Sequence, residues 1–324
     1  MLGKSTSRGF LRWAITLTAL APVAAFAGFF GDEGEGVEFH KIVVFGDSLS
    51  DPGNVFAATG QYSIRPFMPI PSAPYVIGGM HFTNGETWIE RASRQLGTWT
   101  ASGPALRVPG VYTNYAFGGA RARPGSSSAS PDLGAQVAMY LGESGGTVDP
   151  QALYVLWFGA NDINDALAAG DPAAAASILQ AAIGSIYSGI QTLWGAGARV
   201  FLIPNAPDLA KTPAVRSAGP AAVAGAEYLS GAFNSALGQL LSGLDALPQV
   251  RIVRLDVYSL LNGVIAAPET YGFANATEPC LKFYVVANVI CSTPRTYLFW
   301  DAIHPTAAAH RVLAQGAVAA LTTQ

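Results

Sequence analysis

An apolar run, Ile42-Val43-Val44-Phe45, passes directly into Gly46-Asp47-Ser48-Leu49-Ser50-Asp51, and this junction constrains the fold more than any other stretch. The run from His40 to Phe45 reads as a short buried parallel strand. Gly46 permits a sharp turn at its end, because a residue without a side chain tolerates backbone conformations that others do not. Such a turn leaves the Ser48 hydroxyl at the carboxyl end of the strand, and in an open α/β sheet that edge is where ligands bind. Gly, Asp and Ser also make ordinary turns, so the weight of Ser48 depends on what the rest of the chain brings to the same edge.

The chain alternates between two periodicities. Strands are expected near Lys41–Phe45, Thr113–Ala116, Leu153–Phe158, Arg199–Ile203 and Arg251–Leu255, and their near-continuous apolar character suits a parallel sheet of about five strands covered on both faces. Between and after them run helical patterns at Glu86–Leu96, Asp132–Leu141, Pro172–Trp194, Ala221–Leu244 and Thr306–Ala319, the long ones rich in Ala and Leu. The expected fold class is therefore α/β, with three layers, α/β/α. Half of the residues are hydrophobic and 12% charged, enough to bury one large core, and residues 28–324 are read as a single domain.

Three further segments fall where strands should end: Asn114-Tyr115-Ala116-Phe117-Gly118-Gly119-Ala120, Phe158-Gly159-Ala160-Asn161-Asp162 and Asp301-Ala302-Ile303-His304-Pro305. With Gly46-Asp47-Ser48-Leu49 they stand in the order of the four blocks of the SGNH (GDSL) hydrolase family, which this chain resembles from Gly46 to His304. The wording of the first two blocks is most similar to the bacterial branch of secreted lipases, lysophospholipases and glycerophospholipid:cholesterol acyltransferases. The resemblance implies a flavodoxin-like sandwich, with Ser48 as nucleophile, Ser48, Gly119 and Asn161 as oxyanion donors, and His304 with Asp301 as base and orienter. Gly118 is the neighbouring alternative to Gly119.

The residue types suit those roles. A neutral serine hydroxyl is a weak nucleophile and needs an adjacent base, which His304 can supply. Asp301, three residues earlier, can reach the far ring nitrogen, hold the tautomer and stabilise the imidazolium. Pro305 suits entry into the first turn of the following helix. The Ser48 and Gly119 N–H groups and the Asn161 amide can meet the negative charge that develops on a carbonyl oxygen, and each such donor lowers the barrier by roughly 3–4 kcal/mol. The plainer readings are a turn for Asn161 and a helix-capping Asp beside a surface His for Asp301 and His304. Gly142-Glu143-Ser144-Gly145-Gly146 matches the G-x-S-x-G elbow, but a helical stretch precedes Ser144 where that elbow needs a strand. His40, His81 and His310 have no carboxylate at a comparable spacing and are read as structural or surface residues.

Lys4, Arg8 and Arg12 precede the apolar run Trp13–Phe26, which ends in Ala25-Phe26-Ala27. This pattern is expected to be a secretory signal peptide over residues 1–27, its apolar run being shorter than the roughly 20 residues of a membrane span. Later hydrophobic runs are interrupted by Gly, Pro and charges, so a soluble secreted or periplasmic protein is expected. Cleavage would take the net charge from −3 to about −6, an unfavourable sign for nucleic acid. Cys280 and Cys291, the sole cysteines, read in an exported chain as a disulfide rather than a metal site. In some relatives of the acyltransferase-like branch a similar loop is implied to control access, whereas a plain staple is the simpler alternative. No metal cluster, phosphate loop or dinucleotide fingerprint is present in the sequence, so no cofactor is expected.

The segment Phe56–Phe82 is rich in aromatics, and Tyr62, Phe67, Tyr75 and Phe82 are candidates to line an acyl groove, with edge packing or sugar stacking as alternatives. The resemblance favours lipid esters, cleaved through an acyl-Ser48 intermediate that water or another alcohol attacks, with transient contact at a lipid surface. A carbohydrate O-acetyl esterase and a non-catalytic surface-binding protein are the other readings.

Overall fold

The computed structural model describes residues 37–59, 80–125, 130–282 and 289–322. The leader at 1–27 and Tyr62, Phe67 and Tyr75 lie outside these residues. In chain order the elements are β1 (Lys41–Gly46), α1 (Asn54–Thr59), α2 (Trp88–Gln95), α3 (Leu133–Glu143), β2 (Ala152–Trp157), α4 (Ala160–Ala168), α5 (Pro172–Ala196) and β3 (Val200–Pro204). They continue with α6 (Pro213–Ser217), α7 (Pro220–Leu244), β4 (Arg251–Leu255), α8 (Val257–Ala266), β5 (Asn275–Pro279), β6 (Leu281–Lys282), β7 (Val289–Ile290), β8 (Tyr297–Phe299) and α9 (Ala307–Thr322).

Strands β1 to β4 form a parallel sheet in that order, with Val44 opposite Val155, Val155 opposite Leu202 and Leu202 opposite Val253. Because successive side chains of a strand point to opposite faces, each strand feeds two cores. Val43, Phe45, Tyr154, Leu156, Phe201 and Ile203 join one cluster with Leu133, Leu179 and Phe233 from α3, α5 and α7. Ile42, Val44, Leu153, Val155 and Leu202 join another with Trp88, Ile89, Leu313 and Ala317 from α2 and α9. These are the three layers expected. By length and composition α5 is apolar enough to cross a membrane, although the sequence reading judged every later run too interrupted. Its Ala175, Leu179, Ala182, Ile186, Ile190 and Leu193 are spent on the first core.

The fifth strand is the point of difference. Residues 113–117 run along the outer edge of β1 and make the bonds that an edge strand would: Val44 N to Thr113 O at 2.9 Å, Tyr115 N to Val44 O at 2.8 Å and Phe117 N to Gly46 O at 3.1 Å. They nevertheless form only isolated parallel bridges, Val44 with Asn114 on one side and Pro104 with Asn114 on the other, rather than a strand. On the outer side Ala105 N donates to Asn114 O at 3.0 Å, and side chains meet further outer groups. The buried Asn54 amide donates to Asn114 O at 2.8 Å and Ala116 O at 2.9 Å, while Asn114 Oδ1 accepts from Ala116 N at 3.0 Å. With this segment in second place, the spatial order is 2-1-3-4-5, which puts the topological switch between β1 and β2.

Asn54→Ala removes those two bonds together with Leu106 N to Asn54 Oδ1 at 3.2 Å. Asn114 O keeps Ala105 N as a donor at 3.0 Å, but the buried Ala116 O loses its partner, which is expected to cost about 1–3 kcal/mol, seen as a thermal melt lowered by a few degrees; an unchanged melt would show that this edge is held by other contacts.

Candidate active site

The Gly46 turn is held from two directions. On α3, the buried Gln136 carboxamide accepts from Gly46 N and donates to Gly46 O, both at 2.9 Å. A side chain at position 46 would stand 3.1 Å from Trp157 O and 3.3 Å from the Ser50 Cβ, so the tight approach of β1 to β2 favours glycine. Asp51, also buried, accepts from Gly53 N at 2.7 Å, Asn54 N at 2.6 Å and Gly118 N at 2.8 Å. One carboxylate thus ties the Ser48 turn to the Gly118-Gly119 turn.

The half-buried Ser48 projects from this turn, and its Oγ lies 2.9 Å from His304 Nε2. His304 Nδ1 lies 2.8 Å from Asp301 Oδ2, and Asp301 Oδ1 accepts the Ile303 and His304 backbone N–H groups at 2.8 and 2.7 Å. Asp301 is 0% and His304 7% exposed. Burial acts to lower the His304 pKa, but the Asp301 charge and hydrogen bond, with Asp47, outweigh it and the net shift is upward. Asp47, beneath Ser48, is pushed up to about 7 by burial, with the Leu49 N–H and His304 resisting.

The Gly118 N–H is already committed to Asp51, and a side chain at 118 would meet the Phe82 ring at 2.1 Å. Gly119 has φ +78°; among the described residues its N–H and that of Ser48 donate to no protein acceptor. Asn161 lies in the first turn of α4, not in a loop, behind Gly159, whose φ is +121° and where a side chain would strike Phe233 at 2.3 Å. The Asn161 amide donates to Ala120 O at 2.9 Å and stands 3.5 Å from Asp47 Oδ2. Two more acids of α4 grip the same segment: Asp162 accepts from Ala122 N at 2.9 Å, and Asp165 pairs with Arg121 and Arg123. Ser48, Gly119, Asn161 and His304 line one cavity of about 220 Å³.

The histidine loop is strapped by Thr83 and Asn84, which no sequence motif marks, and by Phe82. Thr83 Oγ donates to Pro305 O at 2.8 Å, Asn84 Oδ1 accepts from Ala307 N at 2.7 Å, and the Phe82 ring lies 5.5 Å from the imidazole. From the other side the Cys280–Cys291 disulfide closes the β6–β7 hairpin. Leu281 N donates to Trp300 O at 2.6 Å, while Trp300 N donates to His304 O at 2.8 Å. Of the other histidines, His40 pairs with Asp149 at 2.8 Å and His81 with Glu90 at 3.0 Å, so both have carboxylate partners that sequence spacing hid. His310 accepts from Trp88 N at 3.1 Å, and burial, helped by His81, His304 and Arg91, lowers it to about 3. Ser144 caps the carboxyl end of α3, away from the cavity.

Phe82, the one described aromatic of the expected acyl groove, lines the cavity. Most of its wall comes from elsewhere: Val257, Leu260, Leu261 and Val264 of α8, Leu298 and Phe299 of β8, and Val312 and Leu313 of α9. The i, i+3, i+4, i+7 spacing on α8 was a readable signal of one apolar face.

A hydroxyl at a strand end, an imidazole in reach of it, a buried carboxylate behind the imidazole and N–H groups aimed at a common space have the chemistry of a serine hydrolase. Residues 42–317 match the GDSL-like lipase/acylhydrolase family, and the chain belongs to it. It is 29% identical to the thermolabile hemolysin of Vibrio parahaemolyticus, over 86% of this chain and 63% of that one. It is 27% identical to Lipase 1 of Photorhabdus luminescens, over 87% and 50%, and 25% identical to the phosphatidylcholine-sterol acyltransferase of Aeromonas hydrophila, over 88% and 91%. The chain thus spans half to just under two thirds of the hemolysin and of Lipase 1. Among solved structures, the acetylxylan esterase Axe2 of Geobacillus stearothermophilus is similar at 13% identity and a TM-score of 0.46, covering 89% of this chain and 97% of that one.

Two outcomes are expected. With its pKa raised, His304 stays protonated to a higher pH than an ordinary histidine, so the acid limb of kcat/KM lies above 6.5; Asp301→Asn moves that limb down and lowers kcat by about 10²–10⁴-fold. A limb that does not move in the pH–rate profile would remove Asp301 from this role. Asn84→Ala releases the strap and is expected to lower kcat about tenfold with KM within about twofold, because misplacing a reacting group costs rate rather than binding; steady-state kinetics on one ester reads both.

Proposed function

We infer that the protein is an exported serine esterase acting on lipid acyl esters, of lipase or lysophospholipase type and able to pass the acyl group to an alcohol. Ser48 Oγ attacks the ester carbonyl as its proton moves to His304 Nε2. The resulting oxyanion meets the Ser48 and Gly119 N–H groups and the Asn161 amide. Collapse expels the alcohol, which takes the proton from His304, and water or an acceptor alcohol then releases the acyl group from Ser48. Asp301 keeps the imidazole oriented and stabilises its charged form.

The observation that carries the lipid reading is the cavity itself. Its polar lining side chains are Asp47, Ser48, Asn161, Asn164, Thr212 and His304, five of them on the three segments that carry the reacting groups, and the rest of the wall is apolar. Such a site favours hydrocarbon over hydroxyl-rich ligands. The names of the relatives from Photorhabdus and Aeromonas agree with it. Export is supported by the leader pattern at 1–27 and by the disulfide, which persists in oxidising compartments.

The test is acyl release from lysophosphatidylcholine and from acetyl, octanoyl and palmitoyl esters by the chain lacking residues 1–27, beside its Ser48→Ala variant. Long-chain release is expected, falling by at least about 10³-fold in Ser48→Ala while the melt stays within about 2 °C. Acetyl release alone would favour a carbohydrate O-acetyl esterase, and no serine-dependent release would favour a binding protein.

A further inference from the structure

Helix α8 presents four apolar side chains to one line: Val257, Leu260, Leu261 and Val264 all face the cavity that holds Ser48. Their spacing covers two helical turns, about 10 Å of wall. Leu260 and Leu261 are half-buried: they pack against the neighbouring apolar cluster and also border the cleft. Across the cleft stand Leu298 of β8 and Val312 of α9, and no polar side chain of α8, β8 or α9 lines the cavity. A sugar placed here would leave its hydroxyls without partners, which opposes binding, whereas an alkyl chain needs none. The apolar wall and the Ser48–His304 pair line the same cavity, so this wall offers an ester held at Ser48 an apolar surface along which to lay a chain.

We propose that the acyl chain of the substrate lies between α8 and α9, and that the α8 face decides which acyl lengths are accepted. This deepens the lipid-ester reading and rests on it. A bulky residue on that face shortens the chain that fits, because each methylene accommodated in an apolar pocket contributes to kcat/KM. The alcohol side of the ester is not held by this wall, so selection acts on the acyl group whatever the alcohol.

The experiment measures kcat/KM for p-nitrophenyl acetate, butyrate, octanoate and palmitate with the wild-type chain and with Leu261→Trp and Val264→Trp. The palmitate-to-acetate ratio is expected to fall at least about tenfold in one or both variants, with the optimum moving to shorter acyl groups. A ratio unchanged in both folded variants overturns the proposal. Should the tryptophans prevent folding, Val264→Thr preserves the shape and adds a hydroxyl; a palmitate KM raised relative to that of acetate supports the channel, and parallel kinetics with the wild type overturns it. Wild-type hydrolysis of acetate alone would instead remove the lipid reading itself. Wild-type palmitate turnover with unaltered variants would leave that reading intact and remove only the role of α8.

Discussion

Two hydrogen bonds between the Gln136 carboxamide and the backbone of Gly46 set the position from which everything else at the site is measured. At the end of β1 the neighbouring segments meet only part of the hydrogen-bonding capacity of Gly46, so the rest must be satisfied by something that does not move. A buried side chain on a packed helix does this, and a double contact restrains orientation as well as distance. Asp51 extends the same logic to the second turn, where its carboxylate accepts Gly118 N beside Gly119, a residue of the cavity wall. The relation between Ser48 and Gly119 is therefore set by one carboxylate rather than by the loops between them.

The site is also a place of concentrated buried acid. Asp47, Asp51, Asp162 and Asp301 are all buried around it, and burial pushes Asp47 up to about 7 and Asp51 up to about 6. Of these groups, Asp301 and Asp47 act on the imidazole and raise its pKa, while Asp51 and Asp162 are held by backbone N–H donors of the neighbouring turns. Asp47 and His304 each favour the charged form of the other, so the base becomes more willing to accept a proton as its surroundings ionise. Proton acceptance by His304 is thus a property of the whole carboxyl edge of β1 as well as of its Asp301 partner.

What could be read in the sequence was what the chain expresses locally. The strand–glycine–serine junction, the Asp301–His304 spacing, the long helices and most strand positions depend on residues close in sequence, and their bounds agree with the structure to within a few residues. The contacts that tie segments together were not legible: Gln136 looks like any polar helix residue, and Asn54 and Asn114 look like loop amides until residues 113–117 are laid along β1. Thr83 and Asn84 likewise gain meaning only once α9 begins beside them, over 200 residues away in the chain. The fifth strand differs for a related reason, because residues 113–117 keep three backbone bonds to β1 yet make only isolated bridges. The α8 face could have been found from its period, but its place opposite Ser48 depends on how β4 leads into the helix.

The two asparagines at the β1 edge have a further consequence. An outermost strand with unused N–H and C=O groups is a template on which a second chain can add a strand. Here Asn54 and Asn114, together with the Ala105 N–H, occupy the outward groups of residues 114 and 116, while the opposite edge, β4, carries Arg251 and the exposed Arg254, paired with Asp245. The sheet is thus closed to self-association at one margin by amides and at the other by charge, a safeguard suited to a chain whose half-buried apolar helix face lies in an open cleft and would otherwise invite its own kind.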